Sequence, residues 1–236
     1  MDGFPEKMRQ VKDRHEIEAM EKSAEMISFI LDKVISSLKA GRSEKDVAWQ
    51  IRSMAQQMGA DGLAFPSIVA SGPNSSLPHA VPTDRRIDEG EPVTIDAGVR
   101  LDGYCSDITR TVFIGEPDPK LQNIYSTVRK AQKAALGEIR AGVESTHPDS
   151  VARKVISDAG YGDLFGHSLG HGVGLATHEG PRLSPLKPVK LEAGMAVTVE
   201  PGIYIPGLGG VRLEETVIVE QDGCRIITRS NYIYDF

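Results

Sequence analysis

The chain has 236 residues, 40% hydrophobic and 25% charged, which is the composition of an ordinary globular protein long enough for a full core. Its 27 basic and 33 acidic residues give a net charge of -6 with no block of like charge, which argues against a nucleic-acid backbone or an anionic membrane surface as partner. The charged N-terminal stretch MDGFPEKMRQVKDRHE lacks an apolar signal region and no run approaches the ~20 apolar residues of a membrane span, so a cytoplasmic protein is expected.

Over about residues 15–39, apolar side chains recur at helical spacing, from Ile17 and Met20 through Ile27 and Leu31 to Leu38, and Gly41 stops the pattern. Ser43 followed by Asp46 has the form of a helix cap and opens a second helix through Val47, Ile51 and Met54 to Gly59. Residues 65–70 read as a short strand, and SGPNSSLPHAVPTDRR as a loop that carries His79. Alternating apolar residues at Val93, Ile95 and Ala97, then at Ile108, Val112 and Ile114, flank Asp102-Gly103, the strongest short signal for a tight β-hairpin. A turn centred there sets Asp107 opposite Gly98, with Asp96 two residues along on the same face. The two carboxylates are then diagonal neighbours with Cβ atoms roughly 7–8 Å apart. That spacing suits a metal pair about 3.5–4 Å apart, with Gly98 leaving the space between them open. Cys105, on the returning strand, reads as a small packing residue; with Cys224 it makes too few cysteines for a disulfide framework.

Pro117 and Pro119 punctuate the chain before helices over about 121–139 and 147–159. A Gly/His-rich segment, GHSLGHGVGLATHEGP, precedes a strand over 195–199, Glu200, the loop PGIYIPGLGG and a strand over 211–219. Centring this second hairpin on Gly207 pairs Glu200 with Glu214. The order helix, helix, hairpin with two acids thus occurs twice. The fold expected is α+β, with two pseudo-symmetric halves, about 14–116 and 117–228, of antiparallel sheet backed by helices. Each half alone would expose a sheet edge, so a single domain over 1–236 is expected.

Two Asp and two Glu facing one cleft repel each other unless cations neutralise them. His171 sits in GHGVG, and four carboxylates with one imidazole suit Mn(II), Co(II), Zn(II) or Fe(II) better than Ca(II). A pair of such ions activates water and polarises the carbonyl it attacks, which is hydrolytic chemistry. A lone histidine is ordinarily a structural hydrogen-bonder, but His167, His171 and His178 crowd into one glycine-rich stretch.

The motifs TIDAG, SDITRTV, GHSLGHGVGLATHEGP, VTVEPGIY and GVRLEETV, in that order, resemble the proline-peptidase branch of the pita-bread metallopeptidases over about residues 9–228. That family includes Xaa-Pro dipeptidase, aminopeptidase P and methionine aminopeptidase. The resemblance implies a pita-bread fold and a metallo-exopeptidase that hydrolyses Xaa-Pro bonds in dipeptides or at the N-terminus of peptides. It implies two divalent ions, Mn2+ or Co2+ before Zn2+ or Fe2+, held by Asp96, Asp107, His171, Glu200 and Glu214, with Asp107 and Glu214 bridging. Glu200 doubles as general acid/base. By the same resemblance His79 approaches the substrate amide and His178 partners the oxyanion. His167 marks the proline-specific members, Arg212 hydrogen-bonds within the site, and Tyr204 is a weaker site candidate equally at home in the core.

Arg212-Leu213-Glu214-Glu215 stands where the family usually reads Arg-Ile-Glu-Asp, a change that bears on packing behind the ligand. The chain also begins almost at the catalytic part, whereas aminopeptidase P and Xaa-Pro dipeptidase usually carry an extra N-terminal domain that shapes the substrate site and builds the dimer. The implied partners are short peptides with proline in second place and a second copy of the chain as a homodimer. Methionine aminopeptidase, which shares a loop like that of Asn74, His79 and Pro82, is the alternative. A non-catalytic binding module of the same fold is a third, at odds with a complete ligand set.

Overall fold

The computed structural model describes residues 4–236, so residues 1–3 of the unit expected over 1–236 lie outside the described residues. A short helix, α1 (Phe4–Met8), leads to Asp13, whose carboxylate accepts from the Glu16 amide while Glu16 bonds back to the Asp13 amide. This reciprocal cap starts α2 (Arg14–Ser36). The helix ends short of the expected residue 39, where the hydroxyls of Ser36 and Ser37 bond back to the carbonyls of Lys33 and Val34. Next, α3 (Glu44–Gln57) opens on the expected Ser43/Asp46 cap. Together these helices lay Ile27, Leu31, Val34, Val47 and Ile51 against Val69, Val93, Ile95 and Val112.

Those last four residues belong to strands of the first half, which are β1 (Gly62–Leu63), β2 (Ile68–Ser71), β3 (Pro92–Ala97), β4 (Val99–Leu101), β5 (Tyr104–Cys105) and β6 (Ile108–Phe113). The hairpin register expected from Asp102-Gly103 holds from Pro92–Phe113 to Ala97–Ile108, and again at Arg100–Cys105 and Leu101–Tyr104. The ladder breaks at Gly98 and Asp107, so β2-β3-β6 and β1-β4-β5 are separate antiparallel sheets. The open space expected from sequence at Gly98 is absent. A Cβ there would lie 2.0 Å from the Ser106 carbonyl oxygen, so glycine is required for the opposing backbone to close in at the bend.

The second half repeats the plan with α4 (Pro119–Leu136) and α5 (Thr146–Asp158). The Gly/His-rich segment folds into β7 (Gly170–Gly172) and β8 (Glu179–Leu183), strands whose glycines hide any period-two pattern. They are followed by β9 (Ala196–Val199), β10 (Gly202–Ile205), β11 (Gly209–Arg212), β12 (Glu215–Val219) and β13 (Cys224–Ile226). The hairpin is centred on Gly207 as expected, pairing Gly202 with Arg212 and Val199 with Glu215. The single strand expected over 211–219 is instead two, because the ladder breaks around Pro201, which has no N–H to donate. Both hairpins therefore bend where their acids stand.

Leu121, Ile124, Val128 and Ile156 of α4 and α5 pack on Val197, Val199, Val211 and Val217 as a second core. The halves meet along β6: Thr216 Oγ1 donates to the Asp107 carbonyl (2.7 Å), and the Glu214 amide to the Thr109 carbonyl (3.1 Å). Cys105 is a buried free thiol on β5, as expected. Among the described residues no helix is long and apolar enough to cross a membrane.

Candidate metal centre

The two bends deliver their acids to one cavity of about 490 Å3. Asp96 comes from β3, Asp107 from the residue before β6, His171 from the middle of β7, Glu200 from the residue after β9 and Glu214 from the residue before β12. All five line the cavity, with His79, His167, His178 and Arg212. One ligand atom from each of Asp107, His171 and Glu214 lies within 4.8 Å of the other two.

The imidazole of His171 has a defined polarity. Its Nδ1 is 3.0 Å from the Gly172 carbonyl, which can only accept, so Nδ1 carries the proton and Nε2 a lone pair. Nε2 faces Glu200 Oε1 at 3.3 Å and Asp107 Oδ2 at 3.7 Å. Burial pushes the pKa of the ring down to about 4, so it is neutral near neutral pH. A lone pair directed at two ionised carboxylates is repulsive unless a proton or a metal cation lies between them. The Asp96 Oδ1 atom is likewise buried with no hydrogen-bond partner among the described residues. Both features fit a divalent cation held by oxygen and imidazole donors.

Electrostatics point the same way. Burial raises the pKa of Asp107 well above the usual carboxylate range, and the charges of Glu214, Asp96 and Glu200 add to it. Glu214 is raised by burial, then by Glu200 and Asp96. Burial is also the main cause for Glu200, which reaches about 7. Two threonines that sequence reasoning passed over hold these acids. Thr109 Oγ1 donates to Glu214 Oε2 at 2.6 Å, and Thr198 Oγ1 donates to Glu200 Oε1 at 3.0 Å while accepting from the His171 amide. Period-two spacing is the signal that could have found them, since each stands two residues from an acid, Asp107 or Glu200.

Arg212 is no surface charge, being 3% exposed. Its guanidinium donates to Asp96 Oδ2 (2.8 Å), to Tyr204 Oη (3.1 Å) and to the Pro78 carbonyl (3.2 Å). Tyr204 Oη in turn donates to His167 Nε2 at 2.8 Å, because Nδ1 of that ring must donate to the Ser168 carbonyl. Tyr204 is therefore part of the cavity's polar frame, and both nitrogens of His167 are engaged. His79 and His178 stand exposed at the mouth, the His178 ring 4.2 Å from that of His171.

With this geometry, a family model described as metallopeptidase family M24 matches residues 18–221. The chain belongs to that family. It is 43% identical over 230 residues to the Xaa-Pro dipeptidase of Pyrococcus furiosus, which covers 98% of this chain and 66% of that protein. A solved Xaa-Pro dipeptidase from Bacillus anthracis superposes with a TM-score of 0.96 at 43% identity, covering 98% of this chain and 65% of the other. An X-Pro aminopeptidase from Thermotoga maritima superposes at 0.95 with 42% identity, covering 97% and 65%. The chain spans about two thirds of the length of the curated relatives it matches, 66% and 64% for two of them. The pita-bread fold expected from the motifs is thus the fold found, and M24 membership implies divalent metal ions at the acid cluster.

The departure from the family motif at Glu215 is accommodated within this M24 fold. Glu215 is 4% exposed, with Oε1 accepting from Arg110 Nη2 (2.6 Å) and Oε2 from Thr228 Oγ1 (2.5 Å). Arg110 also donates to the Glu214 carbonyl at 2.6 Å, so the longer acid backs the strand that carries Glu214.

Proposed function

We propose that the chain is the catalytic part of a metal-dependent exopeptidase that hydrolyses Xaa-Pro bonds, in dipeptides or at the N-terminus of short peptides. Its support is the unprotonated Nε2 of His171 directed at Glu200 and Asp107, together with relatives named Xaa-Pro dipeptidase and X-Pro aminopeptidase. Asp96, Asp107, His171, Glu200 and Glu214 would hold two divalent ions; Mn2+ or Co2+ is the first choice and Zn2+ or Fe2+ the alternative. When bound, the ions supply Lewis acidity to the scissile carbonyl and lower the pKa of water.

The chain's own groups do the rest. Glu200, its Oε1 held by Thr198, takes the proton of the attacking water and passes it to the leaving proline nitrogen. The proline nitrogen carries no N–H in the peptide bond, and with that proton it leaves as a secondary amine while the C–N bond breaks. His178, at the mouth beside His171, donates to the developing oxyanion, and His79 meets the substrate from the opposite loop. Arg212, Tyr204 and His167 keep Asp96 in place through their chain of hydrogen bonds. Phe65, Pro78, Val81 and Pro82 give the cavity an apolar wall that suits a pyrrolidine ring.

The test is kinetic. With Mn(II) or Co(II) added, Xaa-Pro dipeptides and Xaa-Pro-Xaa peptides should be hydrolysed faster than Met-Ala-Ser. The reverse order moves the assignment to methionine aminopeptidase, and no hydrolysis of any of them leaves the binding module. A homodimer belongs to the same proposal, and sedimentation of the purified chain reads it.

A further inference from the structure

The loop that carries His79 leaves β2 at Ser71, and its two ends converge on one carboxylate. Glu44, in the first turn of α3, has no exposed surface. Its Oε1 accepts from the amide (2.8 Å) and hydroxyl (2.9 Å) of Ser71, and its Oε2 from the amide (2.9 Å) and hydroxyl (2.6 Å) of Thr83. Asn74 Nδ2 reaches both oxygens, at 3.1 and 3.2 Å. Among the described residues no cation lies within ion-pair distance of this carboxylate, so a buried charge is satisfied by neutral donors of a single loop. Between those ends the loop is tied down by Ser75 Oγ, which accepts from the Gly210 amide, and by the Pro78 carbonyl, which accepts from Arg212. Beyond Pro78 the segment faces solvent, with Val81 78% exposed.

We propose that Glu44 is a positioning residue for substrate: by clamping both ends of loop 71–83 it holds His79 and the apolar wall of Pro78, Val81 and Pro82 over the acid cluster. No part of Glu44 reaches the cavity, so it contributes no metal ligand and acts on substrate through the loop it clamps. The substrate half of this inference rests on the peptidase proposal above. The loop half rests on geometry alone.

Glu44→Gln replaces one accepting oxygen by a donor and releases one end of the loop. In metal-free protein, hydrogen exchange at the Ser71 or Thr83 amide should quicken by about tenfold or more, the loss of a hydrogen bond to a charged acceptor. Amides of β6 and β12 should keep their parental rates. With saturating Mn(II), the KM for an Xaa-Pro dipeptide should rise about tenfold while bound metal per chain stays parental. In a His79→Ala background the same substitution should change kcat/KM by less than about threefold, because residues that act through one another are non-additive. Parental exchange at both amides overturns the clamp, and an equal loss in both backgrounds overturns the link to His79. Should Glu44→Gln fail to fold, Thr83→Val removes a single donor and should show the same pattern at smaller size. The exchange measurement needs no turnover, so failure of the clamp and failure of the peptidase proposal are read separately.

Discussion

Replacing Glu200 by glutamine keeps the side-chain shape and its bond from Thr198 but removes the group that takes the water proton. Turnover should fall by roughly 10²–10⁴-fold, the usual contribution of a general base, with a melting temperature close to the parent's. Glu215→Gln acts by another route. It strips the counter-charge from the buried guanidinium of Arg110, and breaking such a pair costs about 3–5 kcal/mol. For a chain of this length that lowers the melting temperature by roughly 6–20 °C. The protein that remains folded should turn over near the parental rate. Initial rates at saturating Mn(II) beside thermal melts separate the two. An inactive but normally melting Glu215→Gln, with Glu200→Gln active, reverses the assignment of the two acids. The acids themselves were legible because Asp96, Asp107, Glu200 and Glu214 fall on hairpin positions fixed by Asp102-Gly103 and Gly207. Glu44 and the bond from Thr109 to Glu214 were not, because each depends on a partner far away in sequence, and Thr198 was passed over although it stands two residues from the acid it holds.

The bend of the first hairpin makes a prediction at the scale of the element. A Cβ at Gly98 would sit 2.0 Å from a backbone oxygen, that of Ser106, which cannot swing aside as a flexible side chain would. Gly98→Ala should push Ser106 and Asp107 away from β3, costing about 1–3 kcal/mol and weakening Mn(II) binding together with the melting temperature. A variant with parental melting and parental metal affinity would show that the bend does not place Asp107. Registers were readable because a short turn of known centre fixes every later pair. The breaks were not, since the apolar alternation runs through them and only the approach of the opposing carbonyl, or a proline without an N–H, reveals where the ladder stops. Helices came within a turn of their expected ends, while β7 and β8 escaped because GHSLGHGVG offers no apolar alternation to read.

Across the whole molecule, each half builds its own core from two helices on antiparallel strands, and the candidate centre draws on both. Asp96 and Asp107 come from the first hairpin, and His171, Glu200 and Glu214 from the second half, brought together where β6 runs beside Glu214 and Thr216. The repeated order of helix, helix and acid-bearing hairpin made this meeting readable in advance. The substrate's outer boundaries were less so, since the chain spans about two thirds of the length of its curated relatives. Ions bound at this junction would join the two halves, and metal binding is the property to which the family, the orphaned Asp96 oxygen and the lone pair of His171 all point. The most direct test is a calorimetric titration of metal-stripped protein with Mn(II), counting ions bound per chain at saturation. The account predicts two ions per chain, the number of a hydrolytic metal pair. A folded chain that binds no transition-metal ion at saturating concentration contradicts it.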